Sequence, residues 1–506
     1  MKKKRTPRIP SRETASGVIL VVVASIGLIF ILGNLQNMFG TKPGSARNTI
    51  EAWFPFVFSQ EIDPRSIVTV GDQVASEHLF AFHSRESIRD GFSSVISEVR
   101  FNEAEAVMTV RPQHQLKAAD GNILGPKRLC VSFESSLRSA SHSIVGSLIE
   151  KIECHSDSFR VHFTKLPVNI RYLLTLADFS IFDDELLPIS STHIAPTTGP
   201  YTPVSVSSRK IDLKINPNYP SSLRANEIPE VQLKSYSATD TSQTIERMLA
   251  SKPAPLVYFY GYALSKSDLK KLRASALRLR EVPSEWIVYV GMSPSVNFRD
   301  RLAISSILDR SREELARSSP LAQAAYSVSP QDRPYGISKS EYLDRTRGLS
   351  LPDGVVRLSR KLRITTLDEW ADLPIFRETI QKLKVTFPEF EVALLPRERI
   401  GELWSSSTDI ALSPMGIAPA DPLNNFGFMT EFRHLISNEE LASASLLTSP
   451  TTFNSKLKEF ESRVIRDRIW IPIAHFSGLV AEPNDLERDE SIAWSWGVQT
   501  WTYKVR

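Results

Sequence analysis

The chain has 506 residues, 42% hydrophobic and 23% charged, a length that calls for roughly two to four domains or lobes and a balance that excludes a disordered chain. The formal charge of +4 is concentrated in the first sixteen residues, where Lys2, Lys3, Lys4, Arg5, Arg8 and Arg12 face a single carboxylate, Glu13. The remainder is close to neutral and interleaves its charges, which excludes a nucleic-acid partner.

In chain order the first element is a membrane segment. Residues 17–33, GVILVVVASIGLIFILG, carry no charge and as a helix would span ~25 Å. The cationic cluster lies wholly before them, so the positive-inside rule predicts a cytoplasmic basic tail over 1–16 and a single-pass anchor over 17–35. A cleaved signal peptide would need a small-x-small site close behind its apolar core; Gly44-Ser45-Ala46 lies too far downstream. Residues 36–48, with Gly40, Pro43 and Gly44, read as a tether. The expected location is the bacterial inner membrane, with the main domain on the extracytoplasmic side.

Beyond the tether, strand and helix patterns alternate. Ser158–Phe163 and Ile211–Ile215 alternate at period two, and Trp286–Gly291 is a continuous apolar run of a buried strand. Helical spacing follows over Asp300–Leu315, with Leu302, Ile304, Ile307, Leu308 and Leu315 on one face. Ser327–Gly348 is a loop with a short helix at most. Leu362–Thr366 predicts a strand, Leu373, Phe376, Ile380 and Leu383 a helix with Glu378 and Lys382 paired at i,i+4, and Phe390, Val392 and Leu394 the buried face of a second strand. This βαβ unit makes at least one lobe α/β with parallel strands.

Catalytic constellations are missing: there is no GxSxG, HExxH, Gly-rich phosphate loop or CxxC. Ser207-Ser-Arg-Lys210 and Ser267-Asp-Leu-Lys270 match SxxK by chance in a serine-rich chain. His78/His83 and Cys154-His155/His162 do not converge with a fourth metal ligand, and Asp183-Asp184 reads as a turn or helix cap. Cys130 and Cys154 form either one structural disulfide or two separate buried thiols. No enzyme, metal or cofactor is expected.

One stretch is more specific. Thr198-Gly-Pro-Tyr201, followed by Ile211-Asp-Leu-Lys-Ile-Asn-Pro-Asn-Tyr219, resembles the "GTGPY … NPNYW" of extracellular solute-binding protein family 5, the oligopeptide-, dipeptide- and nickel-binding components of ABC transporters. Further landmarks follow the family order: Ser59–Pro64, Met108–Pro112 with Asp120-Gly121, Phe298–Arg310, and Ile471-Pro-Ile-Ala-His475. Here Gly199 is expected to permit a turn, and Asp309-Arg310 to cap and pair at the surface. The resemblance implies an α/β, two-lobed periplasmic-binding-protein-like (class II) fold with an inserted small domain. Lobe I would comprise 49–78, 196–285 and 474–506, the inserted domain 79–195, and lobe II 286–473. A small peptide or other small solute would be enclosed between the lobes, and an ABC permease would read the closed form.

In peptide-binding relatives a strand running into "ADYxxP" pairs with the peptide backbone, and its Asp meets the α-amino group. The matching segment is Asp409–Pro422, and that register puts Ala418 at the Asp position. A methyl cannot compensate a buried ammonium; Asp421 lies three residues away, beyond Pro419, and Pro414 removes a backbone donor. The ligand-binding candidates are therefore Thr69, Val70, Pro414, Met415, Gly416, Ile417, Ala418, Asp421 and His475. These departures leave an alternative open, a degenerate binding domain kept as a sensor or interaction module without cargo.

Overall fold

The structure, a computed structural model, describes residues 47–67, 69–87, 91–113, 115–138, 148–166, 170, 174–175, 177–225, 228–349, 357–405, 408–417, 422–427, 435–492 and 498–506. Thr49–Arg506 forms one compact unit. The anchor over 17–35 and all but the last two tether residues lie outside the described residues. Among the described residues no helix is long and apolar enough to cross a membrane.

The first strand, β1 (Thr49–Phe54), alternates half-buried and buried positions and leads to helix α1 (Val70–Leu79). A small antiparallel sheet follows, with β2 (Ser97–Asn102), β3 (Val107–Pro112), helix α2 (Pro126–Leu137), β4 (Ile149–Cys154) and β5 (Phe159–Phe163). Its order is β2-β3-β5-β4. This sheet and α2 bury a core of their own around Met108, Leu129, Phe133, Phe159 and Val161. Cys130 of α2 and Cys154 of β4 are joined as a disulfide, which resolves the two readings of these cysteines.

The chain then returns through β6 (Tyr201–Val206), β7 (Lys210–Ile215), β8 (Glu230–Ser235) and β9 (Leu256–Phe259) to the long strand β10 (Arg278–Met292). Helix α3 (Phe298–Ala316), the short β11 (Ala322–Ala324) and α4 (Lys339–Thr346) come next. They precede β12 (Arg363–Leu367), α5 (Pro374–Thr386), β13 (Glu391–Leu395), β14 (Ile410–Gly416), α6 (Pro450–Asp467) and β15 (Trp470–Glu482). Eleven strands share one sheet in the order β6-β7-β8-β1-β9-β15-β10-β14-β12-β13, with β11 also on β15.

The βαβ unit forms where the spacing predicts it: β12 and β13 are parallel, Arg363 opposite Glu391. Two details differ. Lys382 bonds Glu314 on α3 at 2.7 Å, a neighbour the local spacing could not reveal. Leu394 is exposed and Leu395 buried, because β13 is an edge strand of the sheet and one of its faces is only partly covered.

The Thr198–Tyr201 and Asn216–Tyr219 landmarks hold each other. The Asn216 side-chain amide donates to the carbonyls of Gly199 (2.9 Å) and Thr197 (3.3 Å), and the Asn218 amide donates to Ala118 (3.0 Å). Gly199 is needed for space: a Cβ there would lie 2.5 Å from the carbonyl carbon of Leu79. Asp309 also departs from expectation, since it is no surface cap. It accepts from Arg312, from Arg468 at 3.0 Å and from the Tyr342 hydroxyl at 2.6 Å.

Candidate functional site

Two long strands connect the halves of the large sheet. The first part of β10, Arg278–Val282, pairs with Glu482–Gly478 of β15; after a register shift, Trp286–Gly291 pairs with Phe476–Trp470. The break falls opposite Ser477. Gly261 packs against that point so closely that a Cβ would come within 2.0 Å of the Ser477 carbonyl oxygen. A crossing made of two strands with a shared irregularity is a place where the halves can rotate.

Strand directions fix what faces this crossing. On one side β1 and β9 are parallel and end at Phe54 and Phe259. On the other, β12 and β14 are parallel and end at Leu367 and Gly416, with Gly416 opposite Trp286. The carboxyl ends of the strands from both halves therefore meet at the crossing, which is where open α/β sheets place ligands.

Aromatic rings occupy this position. Phe56, just beyond β1, and Tyr258, Tyr260 and Tyr262, at and beyond the end of β9, come from one half; Trp286 and Phe376 come from the other. Tyr260 and Tyr262 are stacked with centroids 5.0 Å apart, and Trp286 stands edge-on to them at 4.7 and 5.8 Å. Phe56 meets Tyr260 at 6.2 Å and Phe376 meets Tyr262 at 6.3 Å. The Trp286 indole N–H donates to the Tyr258 hydroxyl at 3.3 Å. Burial pushes the Tyr262 phenol well above its usual range, so it stays a neutral hydroxyl. Such a seam offers π faces and hydroxyls, and contacts of this kind contribute ~0.5–1.5 kcal/mol per pair beyond area burial.

The predicted site residues divide around this seam. Pro414, Met415 and Gly416 lie on β14 opposite Val288, Ile287 and Trp286, and the Trp286 ring lies 3.8 Å from where a Gly416 Cβ would be. From Leu412 to Gly416, β14 pairs with β10 alone among the described residues, so its other edge is where an added strand would lie. Pro414 has no N–H to offer there. Ile417 is buried in a separate core on the opposite face of the sheet. Ala418 and Asp421 lie outside the described residues.

Thr69 and Val70 stand at the start of α1, whose first turn packs on Val57 and Phe58, just beyond Phe56. The Thr69 hydroxyl accepts from the Asp72 N–H at 3.2 Å and the Asp72 carboxylate accepts from the Thr69 N–H at 2.9 Å, a reciprocal helix cap. Val70 packs against the main core. His475 sits on β15 opposite Ile287 and donates from Nε2 to the Ser327 carbonyl at 3.2 Å. Burial lowers its pKa to about 4, so it is a neutral donor. It fastens the 327–329 loop, which Glu461 of α6 holds from its other side through the N–H groups of Val328 (3.1 Å) and Ser329 (2.9 Å). The aromatic seam escaped sequence reasoning; the dense runs Phe54-Pro-Phe-Val-Phe58 and Tyr258-Phe-Tyr-Gly-Tyr262 were its only local signal.

No protein-family model and no curated protein matches the chain. Solved structures do. The solute-binding protein MoaA of Agrobacterium tumefaciens in complex with mannopinic acid has TM-score 0.73 and 13% identity, covering 91% of this chain and 100% of its own. A dipeptide-binding protein of Pseudoalteromonas in complex with Met-Leu has TM-score 0.71 and 13% identity over 90% of this chain and 100% of its own. NikA of Staphylococcus aureus in complex with a nickel–histidine compound has TM-score 0.69 and 14% identity, with coverage of 90% and 100%. The likeness shows that this chain has their two-lobed α/β periplasmic-binding-protein-like fold.

Proposed function

We propose that this chain is a non-enzymatic, membrane-anchored extracytoplasmic solute-binding protein, the substrate-binding component of an ABC-type importer, with short peptides the first class of cargo to test. The carrying observation is the crossing of β10 and β15, where carboxyl ends of strands from two halves converge on Phe56, Tyr258, Tyr260, Tyr262, Trp286 and Phe376. On this reading lobe I is 49–78, 196–285 and 474–506, lobe II is 286–473, and 79–195 is the inserted domain. The uncharged run 17–33 behind its basic tail supports the anchor. Ligand that touches both lobes in the closed form shifts the equilibrium toward closure, which a permease can read.

One observation favours the second reading, a sensor without cargo. The rings from the two halves already touch each other, and Phe56, Tyr260 and Tyr262 are buried, so closure needs no ligand between them. A melting-temperature screen of solutes and short peptides, run on the full chain and on Trp286→Ala, separates the two. Any tight ligand must raise the melting temperature, and the first reading expects a solute whose effect is lost in Trp286→Ala. A rise that survives the substitution places ligand elsewhere; no rise with any solute favours the sensor.

A further inference from the structure

The outer flank of α5 carries a second feature unrelated to the crossing. Arg377, Ile380, Gln381 and Lys384 recur at i, i+3, i+4 and i+7, so they form one stripe along the helix. Beside the stripe, Val392 and Leu394 stand on β13, an edge strand of the large sheet. Together with Ala371 and Val385 these residues line an open groove of about 480 Å³. Two of its apolar residues are unusually bare for a folded surface: Val385 is 75% exposed and Leu394 52% exposed. An apolar patch with a polar border marks an interaction site more often than chance.

The charge of the groove is one-sided. Its lining contains two cations, Arg377 and Lys384, and no carboxylate. Among the described residues neither cation is in an ion pair. The neighbouring cation on the same helix, Lys382, is instead paired with Glu314. The groove runs along the exposed flank of α5 and over Val392 and Leu394 of β13.

We propose that this groove docks an amphipathic helix of a partner protein, with an apolar stripe seated on Ile380, Val385, Val392 and Leu394 and carboxylates along its borders meeting Arg377 and Lys384. Apolar anchors supply affinity, and the charge match sets orientation and the encounter rate. The basic N-terminal tail of this chain has the wrong sign to be the occupant.

The test uses the full chain and two fluorescein-labelled synthetic helices with the same leucine stripe, one flanked by Glu and the other by Lys, followed by fluorescence anisotropy. The Glu-flanked helix is expected to bind, to weaken with added salt, and to lose at least tenfold in affinity on Leu394→Asp. The double variant Arg377→Glu/Lys384→Glu should reverse the preference and bind the Lys-flanked helix. Melting temperatures of the variants, which alter exposed residues, should match the wild type. Equal binding of the two helices, or no binding of either, overturns the proposal. So does self-association in analytical ultracentrifugation that Leu394→Asp abolishes, because the face would then be an interface between copies.

Discussion

Glu461 brings a carboxyl group into an apolar layer, where the amides of Val328 and Ser329 are its hydrogen-bond donors. Burial is the largest influence and pushes its pKa up to about 7, against the opposing pull of those amides. The folded protein therefore keeps a proton on Glu461 between the unfolded value of 4.5 and about 7, where the unfolded chain has lost it. Its contribution to stability falls as pH rises through that window and is flat on either side. His78, His83 and His475 act in the opposite sense. Burial lowers each to about 4, so their contribution is present above 6.5 and lost as pH falls toward 4. Because these slopes oppose one another, the clean observable is a difference. Glu461→Gln should melt furthest below the wild type near pH 4.5 and gain on it as pH rises to about 7, by on the order of 3 kcal/mol. A difference that stays constant from pH 4.5 to 7.5 would mean that Glu461 is ionised throughout.

At the scale of elements, α3, α4 and α6 are joined by a buried ionic cluster. Arg312 on α3 donates to Asp309, to the Tyr342 hydroxyl on α4 at 2.9 Å and to the Pro472 carbonyl on β15 at 2.6 Å. Arg468, the left-handed residue that ends α6, reaches Asp309 and Tyr342. The Arg312 side chain is 2% exposed, whereas the Arg347–Asp344 pair is open to solvent. Removing one partner of a buried pair costs ~3–5 kcal/mol, and an exposed pair contributes ~0–1 kcal/mol. Urea unfolding should accordingly show Arg312→Ala several kcal/mol below Arg347→Ala; equal losses would show that the cluster does not join these helices. The βαβ unit was legible in the sequence because its evidence is local: period two, then i, i+3 and i+4, then period two again. The cluster was not, since Arg468 stands 159 residues from Asp309, and a short motif around Asp309 carries no sign of it. The exposure of Leu394 was hidden for a related reason, because alternation fixes which residues share a face but not whether anything covers that face.

In the whole molecule, the two-lobed architecture was legible from landmarks kept in order, and the two halves of the longest landmark are tied together: the Asn216 side chain donates to the Gly199 carbonyl and its backbone N–H to the Pro200 carbonyl. The seam at the crossing was illegible because its rings come from four separate stretches of chain, around 56, 258–262, 286 and 376. Only the sheet order brings those stretches together. Thr69 and Val70 form the cap of α1 beside Val57 and Phe58, and His475, opposite Ile287, bonds the Ser327 carbonyl. The end of β14 and the ring cluster stand together at the crossing, and the functional question is whether a solute enters between them. Native mass spectrometry of the full chain addresses it most directly. The solute-binding account predicts a fraction of the protein carrying a small additional mass that Trp286→Ala purifies without. A single unliganded mass from every preparation, together with no solute that raises the melting temperature, would contradict it.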